Sequence, residues 1–398
     1  MTNNSHIEQL IQNLCPNGVK YMPLGEVCRS IFAGGTPSTR HAEYYNGDIP
    51  WLRSGEIDFN VITSTEKTIT KLGFEKSSAK VVPAKSVVMA MTGATVAKVA
   101  TTEIDLTANQ SVCAIIPSSK LHYRYLYYYL SLNYEMLRAT AQGAMSSFNL
   151  GIIRAISIPI PPLPIQEEIV RTLDAFANLI ENIDKEINER ERQLELTREA
   201  IFSNVETSCS EWSTLGQISK KVVSGGTPSR KVTQYFNGDI PWLRTQEIDW
   251  KDVYDTEIHI TEEAVRNSAA TIIPANCLII AMYGATAGKA CINRIPLTTN
   301  QACCNLVIDR NRVFYKYAYY WVCKEYLNIK GMGEGSQDNI NGQKIKSYPI
   351  PLPPLAEQRA IAEKLDTIEA LIANLKTERD LRQQQYEYYR EHLINLLK

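Results

Sequence analysis

Two long stretches of the chain place apolar residues at alternating intervals of four and three positions. In the first stretch the spacing is carried by Ile169, Leu173, Phe176, Ile180, Ile183 and Ile187, and continues at Leu194 and Ile201. In the second it is carried by Ile361, Leu365, Ile368, Ile372 and Leu375, and further on by Tyr386, Tyr389, Leu393 and Leu396. An average interval of 3.5 residues, with no Gly or Pro inside either run, predicts two long helices that pair as a coiled coil.

Other segments predict a sheet covered by helices. Short β-branched runs punctuated by proline predict buried strands within residues 80–91 and 270–282. The tyrosine-rich segments 121–137 and 314–330 favour helices packed on that sheet, because aromatic stripes of this kind are more often core than base-stacking platforms. The predicted fold class is therefore α+β, a mixed α/β chain.

Most of the chain consists of an internal repeat, in which corresponding residues lie 191 positions apart. Residues 34–58 and 225–249 are identical at 17 of 25 positions, which excludes chance. The repeated motifs are GGTPS at 34–38 and 225–229, NGDIPWLR at 46–53 and 237–244, and MTGATVAK at 91–98, which returns as MYGATAGK at 282–289. The match continues, at an offset of 192, into a proline-rich segment and the start of each long helix. Each repeat is therefore a globular domain, a proline hinge and a helix.

These repeats define four segments. We predict a first globular domain at 1–160, a hinge and spacer helix at 161–205, a second globular domain at 206–352, and a hinge and helix at 353–398. A helix over 166–204 would be about 58 Å long, and the short connection 205–211 would start the second domain near its far end. We therefore expect the second helix to return antiparallel, with the domains at opposite ends of a rod and related by a pseudo-twofold axis. Duplex DNA has matching local symmetry, but so does a symmetric protein dimer.

Charge is distributed unevenly although the chain has a net charge of only −1. Residues 21–160 carry +3 and residues 212–352 carry +4, whereas residues 166–204 carry −5 and residues 357–398 carry −1. Two mildly basic domains alternating with acidic helices are compatible with two DNA-facing modules.

Composition places the chain among ordinary globular proteins, with 44% hydrophobic and 21% charged residues. No apolar run reaches the roughly 18 residues of a membrane helix, and the N-terminus lacks a secretory pattern, so we expect a cytoplasmic protein without a membrane partner. The nine cysteines include no C-x-x-C pair, and the five histidines are scattered. This pattern predicts reduced thiols and no metal site.

Catalytic motifs are not found in the sequence. GATAGK at 284–289 resembles a phosphate-binding loop, but only three residues separate its glycines and Ala290 follows its lysine. Methyltransferase, metalloprotease and hydrolase motifs are also missing. Two copies of every motif without an active site indicate a recognition protein rather than an enzyme.

The repeated loops carry hydroxyl, guanidinium and ammonium groups that suit DNA phosphates and base edges. The first candidates are Thr36, Ser38, Thr39, Arg40, Arg53, Thr92, Thr95 and Lys98. Their counterparts are Thr227, Ser229, Arg230, Lys231, Arg244, Tyr283, Thr286 and Lys289. The alternative is that these loops are structural turns with solvated lysines. The tryptophan of each NGDIPWLR segment is predicted to be buried.

A second set of candidates consists mainly of side-chain amides. Asn109, Gln110, Asn300 and Gln301 could pair with adenine, or could instead satisfy buried backbone groups. The polar loops before each hinge supply Ser146, Asn149, Ser336, Gln337 and Asn339, which contact DNA or only connect elements.

Five aligned pairs in these loops differ between the copies. They are Thr39/Arg230, Arg40/Lys231, Ser54/Thr245, Gly55/Gln246 and Thr92/Tyr283. We hypothesise that some of these pairs distinguish two DNA half-sites, while the shared residues grip the backbone. Neutral surface drift is the alternative.

Taken together, the repeat, its loops and the PPLAEQ entry to the second helix at 353–358 resemble the specificity subunits of type I DNA restriction–modification systems. The resemblance covers nearly the whole chain in both copies, although PPLPIQ at 161–166 departs from PPLAEQ at Pro164 and Ile165. It implies that each globular half reads one part of a bipartite site in double-stranded DNA. It also implies that the helices dock two modification (methyltransferase) subunits, and that restriction and translocase subunits join them. S-adenosylmethionine, ATP and Mg would then be held by those partners, with no cofactor on this chain.

Two other functions remain open at this point. The chain could be a scaffold whose two domains clamp a symmetric protein partner without reading DNA. A stand-alone enzyme is a weaker alternative, because no catalytic residues are evident.

Overall fold

The computed structural model describes residues 3–142, 147–333 and 339–398 and divides into two compact units. The first unit combines Met1–Asp184 with Thr377–Lys398, and the second is Lys185–Lys376. Each unit therefore contains one globular repeat together with parts of both long helices. The mixed helix and strand content confirms the predicted fold class.

The first unit has a five-stranded sheet, a four-stranded sheet and a small two-stranded ladder. The five-stranded sheet has the order β2-β10-β7-β8-β4, and the four-stranded sheet has the order β5-β3-β9-β6. Its strands are β1 (Tyr21–Pro23), β2 (Cys28–Ala33), β3 (Tyr45–Leu52), β4 (Val61–Ile62), β5 (Thr68–Ile69), β6 (Val81–Val82), β7 (Val87–Ala90), β8 (Val99–Thr102), β9 (Leu106–Ala108), β10 (Val112–Pro117) and β11 (Ser157–Pro159). Its short helices are α1 (Asn3–Leu14), α2 (Leu24–Val27), α3 (Lys71–Glu75), α4 (Tyr123–Leu132), α5 (Tyr134–Gln142) and α6 (Leu150–Ala155).

The second unit repeats this plan. Its five-stranded sheet has the order β13-β20-β17-β18-β15, and a three-stranded sheet has the order β16-β14-β19. Its strands are β12 (Trp212–Thr214), β13 (Ser219–Ser224), β14 (Ile240–Leu243), β15 (Asp252–Val253), β16 (His259–Ile260), β17 (Leu278–Ala281), β18 (Ala290–Asn293), β19 (Thr298–Thr299), β20 (Cys303–Ile308) and β21 (Pro349–Pro351). Its short helices are α8 (Glu262–Arg266), α9 (Tyr315–Lys324), α10 (Tyr326–Lys330) and α11 (Gly342–Ser347).

The tyrosine-rich segments form core helices, as predicted, but each is broken into two. The turn at Asn133 separates α4 from α5, and Glu325 separates α9 from α10. Tyr125 and Tyr317 are fully buried and donate hydrogen bonds to the carbonyls of Pro159 and Pro351. Buried tyrosines with satisfied hydroxyls thus join the sheet-covering helix to the proline segment in both units.

The two predicted long helices are α7 (Leu163–Ser208) and α12 (Leu355–Asn395). Pro164 falls in the first helical turn, where the missing N–H would have had no partner. Within the first unit, Phe176 stacks on Tyr389 with ring centroids 5.1 Å apart, and Asp184 pairs with Arg379 at 3.2 Å. The partner number falls as the α7 number rises, so the two helices are antiparallel there.

A buried glutamine links the start of each long helix to the globular part of the same unit. Gln166 Nε2 donates to the carbonyls of Pro161 and Lys120, and its Oε1 accepts from the backbone N–H of His122 at 2.8 Å. Gln358 makes the corresponding bonds to Pro353 and to the N–H of Phe314. The glutamine of the PPLxxQ motif is therefore structural: it satisfies backbone groups at the hinge.

Candidate nucleic-acid interface

Both units bring two of the candidate loops to one end of a parallel strand pair. In the first unit β3 and β9 are parallel, with Leu52 opposite Ala108. Because parallel strands end on the same side, Arg53 and Asn109 emerge together, and the N–H of Asn109 donates to the carbonyl of Leu52 at 2.9 Å. The second unit repeats this with β14 and β19, so that Arg244 and Asn300 are the corresponding pair.

The GGTPS loop packs across this strand end. The N–H of Gly35 donates to the carbonyl of Ala108 at 2.8 Å, and the buried Trp51 donates its indole N–H to the carbonyl of Gly35 at 3.1 Å. A Cβ on Gly34 would lie 2.2 Å from the carbonyl oxygen of Ala108, so the glycines allow close backbone approach rather than a positive φ. Trp51 and Trp242 are 6% and 2% exposed, which confirms their predicted burial.

Side chains of the candidate set contact one another in this region. The hydroxyl of Thr36 donates to the side-chain oxygen of Gln110, and Thr227 donates likewise to Gln301. These two amides are therefore held by threonines of the GGTPS loop. The residues that follow each threonine and proline remain exposed, and they are Ser38, Thr39, Arg40, Ser229, Arg230 and Lys231.

The loop at 91–98 joins the same cluster. Thr95 donates its hydroxyl to the carbonyl of Ser54 at 3.0 Å, and Thr286 donates to the carbonyl of Thr245 at 2.8 Å. Gly288 has φ +85°, and Ala97, which aligns with it, has φ +69°. The second glycine of the GATAGK motif therefore serves a left-handed turn.

The lysine and the NGDIPWLR arginine of each copy are paired with acidic residues. Lys98 Nζ lies 2.6 Å from Asp58 Oδ1, and Lys289 Nζ lies 2.6 Å from Asp249 Oδ1. Arg53 contacts the exposed Glu66, while Arg244 contacts the exposed Glu257. The lysines are thus neither isolated nor simply solvated. The sequence reasoning missed these carboxylates, although Glu56-Ile57-Asp58 recurs as Glu247-Ile248-Asp249 within the most similar part of the repeat.

The two asparagines use their oxygens for local structure. Asn109 Oδ1 accepts from the N–H of Ser111 at 3.1 Å, and Asn300 Oδ1 accepts from the N–H of Ala302 at 3.2 Å. The backbone-satisfying alternative therefore describes these oxygens. A bidentate contact to adenine would use this oxygen as an acceptor a further time, together with the Nδ2 donor.

The remaining candidates are more scattered. Thr92 forms an isolated antiparallel β-bridge with Ser147, whereas Tyr283 at the aligned position is exposed. Asn149 caps α6 by accepting from the N–H of Ile152 at 3.0 Å, and Asn339 Oδ1 is buried with no hydrogen-bond partner among the described residues. Ser146, Ser336 and Gln337 lie outside the described residues.

Thiol and metal chemistry find little support in the described part of the chain. All nine cysteines are free, and burial raises the pKa of the Cys28 and Cys113 thiols to about 12, so they stay protonated near neutral pH. Across residues 3–142, 147–333 and 339–398 no three His, Cys, Asp or Glu side chains are grouped for a metal ion. No helix in these ranges is long and apolar enough to cross a membrane.

Comparison with known proteins gives a consistent result. A family profile described as the type I restriction modification DNA specificity domain matches residues 16–192 and 209–381. The EcoR124I/EcoR124II specificity subunit of Escherichia coli is 32% identical over 317 residues, which cover 74% of this chain and 77% of that protein.

Solved structures resemble the chain along nearly its full length. The crystal structure of the type I restriction–modification S subunit from M. genitalium superimposes with a TM-score of 0.60 at 15% identity, covering 96% of both chains. A chain from a structural study of type I R-M system assembly and conformational transition has a TM-score of 0.63 at 18% identity, covering 96% of this chain and 98% of its own. At these identities the likeness concerns the fold.

Proposed function

Since the chain belongs to the family of type I restriction–modification DNA specificity subunits, we propose that each of its two units reads one half of a bipartite sequence in duplex DNA. A specificity subunit is a non-catalytic component of its system, so the chain directs chemistry that partner subunits perform. The observation that carries the proposal is the duplicated loop cluster: Thr36–Gln110, Thr95–Ser54 and Lys98–Asp58 each have a counterpart in the second unit.

The chemistry of the cluster supports DNA as the ligand. Exposed hydroxyl and cationic side chains follow the GGTPS turn in both units, and such groups serve phosphate oxygens and base edges. The scaffold of each cluster is shared, while several exposed positions differ between the copies. Two clusters that share their hydrogen-bonded loops but differ in exposed residues could bind two half-sites of different sequence.

Partners would supply the catalytic steps. We propose that two modification subunits dock on the helices of segments 161–205 and 353–398, hold S-adenosylmethionine and methylate adenine. Restriction and translocase subunits would use ATP and Mg for DNA translocation and cleavage. This chain would hold none of these cofactors.

The decisive experiment is genome-wide mapping of adenine methylation in cells that contain the modification subunits, with and without this chain. We expect a two-part motif with a constant gap to be methylated only when the chain is present. If the methylation pattern is the same in both strains, or follows no motif, the proposal is wrong.

A binding assay separates DNA reading from the scaffold alternative. A gel shift with the chain and its purified modification subunits should retard DNA that carries the mapped motif, and a scrambled duplex of equal length should compete poorly. Assembly with the subunits and equal affinity for both duplexes would instead support a scaffold. Methyl transfer by the isolated chain would support a stand-alone enzyme.

A further inference from the structure

The two copies of the NGDIPWLR arginine have different surroundings. Arg53 and Arg244 stand at equivalent positions, and each precedes a short 3-10 turn whose last residue is a partly buried glutamate. The Arg53 side chain is 37% exposed, whereas that of Arg244 is 19% exposed. The same residue is therefore more accessible in the first unit than in the second.

The residue two positions further on accounts for this difference. In the second unit the carboxamide of Gln246 lies 3.1 Å from both Nη atoms of Arg244, an arrangement in which the amide oxygen accepts from the guanidinium. In the first unit Gly55 takes this place. A Cβ at Gly55 would meet no atom within 4 Å, so the space beside Arg53 is open.

The glutamates of the two 3-10 turns add to the difference between Arg53 and Arg244. Arg244 Nε donates to Glu247 at 3.2 Å, but Arg53 Nε is 3.6 Å from Glu56 and forms no hydrogen bond with any described residue. Arg53 keeps a longer ion pair with Glu56, and its guanidinium donates a hydrogen bond to Glu66, an exposed carboxylate. Exposed ion pairs exchange easily because solvent competes for both partners. Arg244 would have to give up Gln246 and Glu247 as well.

We propose that Arg53 reads a guanine in the half-site of the first unit, and that Gln246 withholds Arg244 from the equivalent contact in the second. Arginine donates two parallel hydrogen bonds to O6 and N7 of guanine in the major groove, which requires a guanidinium edge that is free to turn outward. At Gly55 no side chain competes with the base for that edge, whereas the Gln246 amide occupies it. The inference rests on the proposed function, since it assigns one base contact within that DNA interface.

The test compares methylation motifs of variants of the full chain produced with its modification subunits in cells that lack adenine methylation. Arg53→Lys keeps the charge but removes the two-pronged donor. Gly55→Gln leaves every charge unchanged and adds the amide that covers Arg244. Both should lower the preference for guanine at one position of one half-site by roughly 5- to 150-fold, with the other half-site unaffected. The matched control Gly55→Ala should keep the wild-type motif.

The reciprocal change tests the second unit. Gln246→Gly should create a guanine preference in the other half-site, and the double variant Gln246→Gly/Arg244→Ala should lose it again. The inference is overturned if Gly55→Gln keeps the wild-type motif, or if Arg53→Lys and Gly55→Gln relax both half-sites equally. Failure of the proposed function looks different, because the wild-type chain itself would then produce no motif. Melting curves of the purified chains identify any variant that fails to fold. If Arg53→Lys does not fold, the methylation motif of Gly55→Gln is the deciding result.

Discussion

The ammonium of Lys98 lies 2.6 Å from the carboxylate of Asp58, and the corresponding pair in the second unit, Lys289 and Asp249, has the same separation. The aspartates are mostly exposed, and such a pair contributes only about 0–1 kcal/mol to stability. The main effect of the pair is to fix the position of the lysine side chain. Each lysine is held beside the candidate loops, where we expect it to exchange its aspartate for a DNA phosphate.

Replacing either lysine should weaken DNA binding without changing the recognised sequence. We expect Lys98→Ala and Lys289→Ala each to reduce the slope of log affinity against log salt by about one, because one phosphate contact is lost. The measurement is fluorescence anisotropy of the chain with its modification subunits at several salt concentrations. Lys71→Ala, a solvent-exposed lysine on α3, is the control. Unchanged slopes for both variants would remove these lysines from the interface.

The left-handed turn before Lys289 should matter for stability. Gly288→Ala would place a side chain at φ +85° and 3.3 Å from Tyr326, and an L-residue in this conformation costs about 1–2 kcal/mol. We therefore expect a lower urea midpoint for Gly288→Ala. Ala97→Gly, the converse change at φ +69°, should differ from wild type by less than about 1 kcal/mol, since relief of strain is offset by unfolded-state entropy. A Gly288→Ala midpoint at or above that of wild type would contradict this assignment.

Glu369 should make the second unit less stable at neutral pH. Burial raises the pKa of Glu369 above 4.5, and the nearby Asp366 carboxylate acts in the same direction, whereas a 2.8 Å hydrogen bond from Tyr320 opposes them. A carboxyl with a raised folded-state pKa favours folding below its unfolded pKa, and this contribution is lost as pH rises through the folded value.

Glu369→Gln should therefore raise the unfolding midpoint near neutral pH and have little effect at about pH 3, where the carboxyl is protonated in both states. Urea unfolding at the two pH values measures the difference. Glu363→Gln, an exposed glutamate on the same helix, is the control. An equal effect of Glu369→Gln at both pH values would show that titration is not the cause.

Helix α1 should stabilise the first unit mainly through Ile7, while Leu10 and Ile11 pack less deeply against the same cluster. Ile7 is fully buried in the cluster that contains Ile165 and Ile169. Ile7→Ala should cost about 2–5 kcal/mol, the usual range for a truncated core side chain. Leu14→Ala, at the exposed end of α1, should stay within about 0.5 kcal/mol of wild type. Chemical denaturation monitored by circular dichroism tests both, and equal midpoints for the two variants would place Ile7 outside the core.

The departure from PPLAEQ at the start of α7 follows from the same packing. Ile165 stands where the second copy has Glu357, and the two side chains have opposite environments: Ile165 is fully buried with Ile7, and Glu357 is exposed. The sequence marks the difference between the copies. The reason for this difference lies in the tertiary structure, because α1, which shares a buried cluster with Ile165, is more than 150 positions away along the chain.

The amino-acid pattern alone was enough to predict the internal repeat, the two long helices, the buried tryptophans and the repeated loops. These features are local or repeated, so apolar period and self-similarity are sufficient to find them. Which charged side chains contact each other is visible only in the folded chain. Lys98 and Asp58 are 40 positions apart and Arg53 and Glu66 are 13 apart, and separation along a chain carries no information about distance until strands pair. The contrast between Arg53 and Arg244 has the same origin: the letters at 55 and 246 differ visibly, but their effect depends on where the folded backbone places the amide.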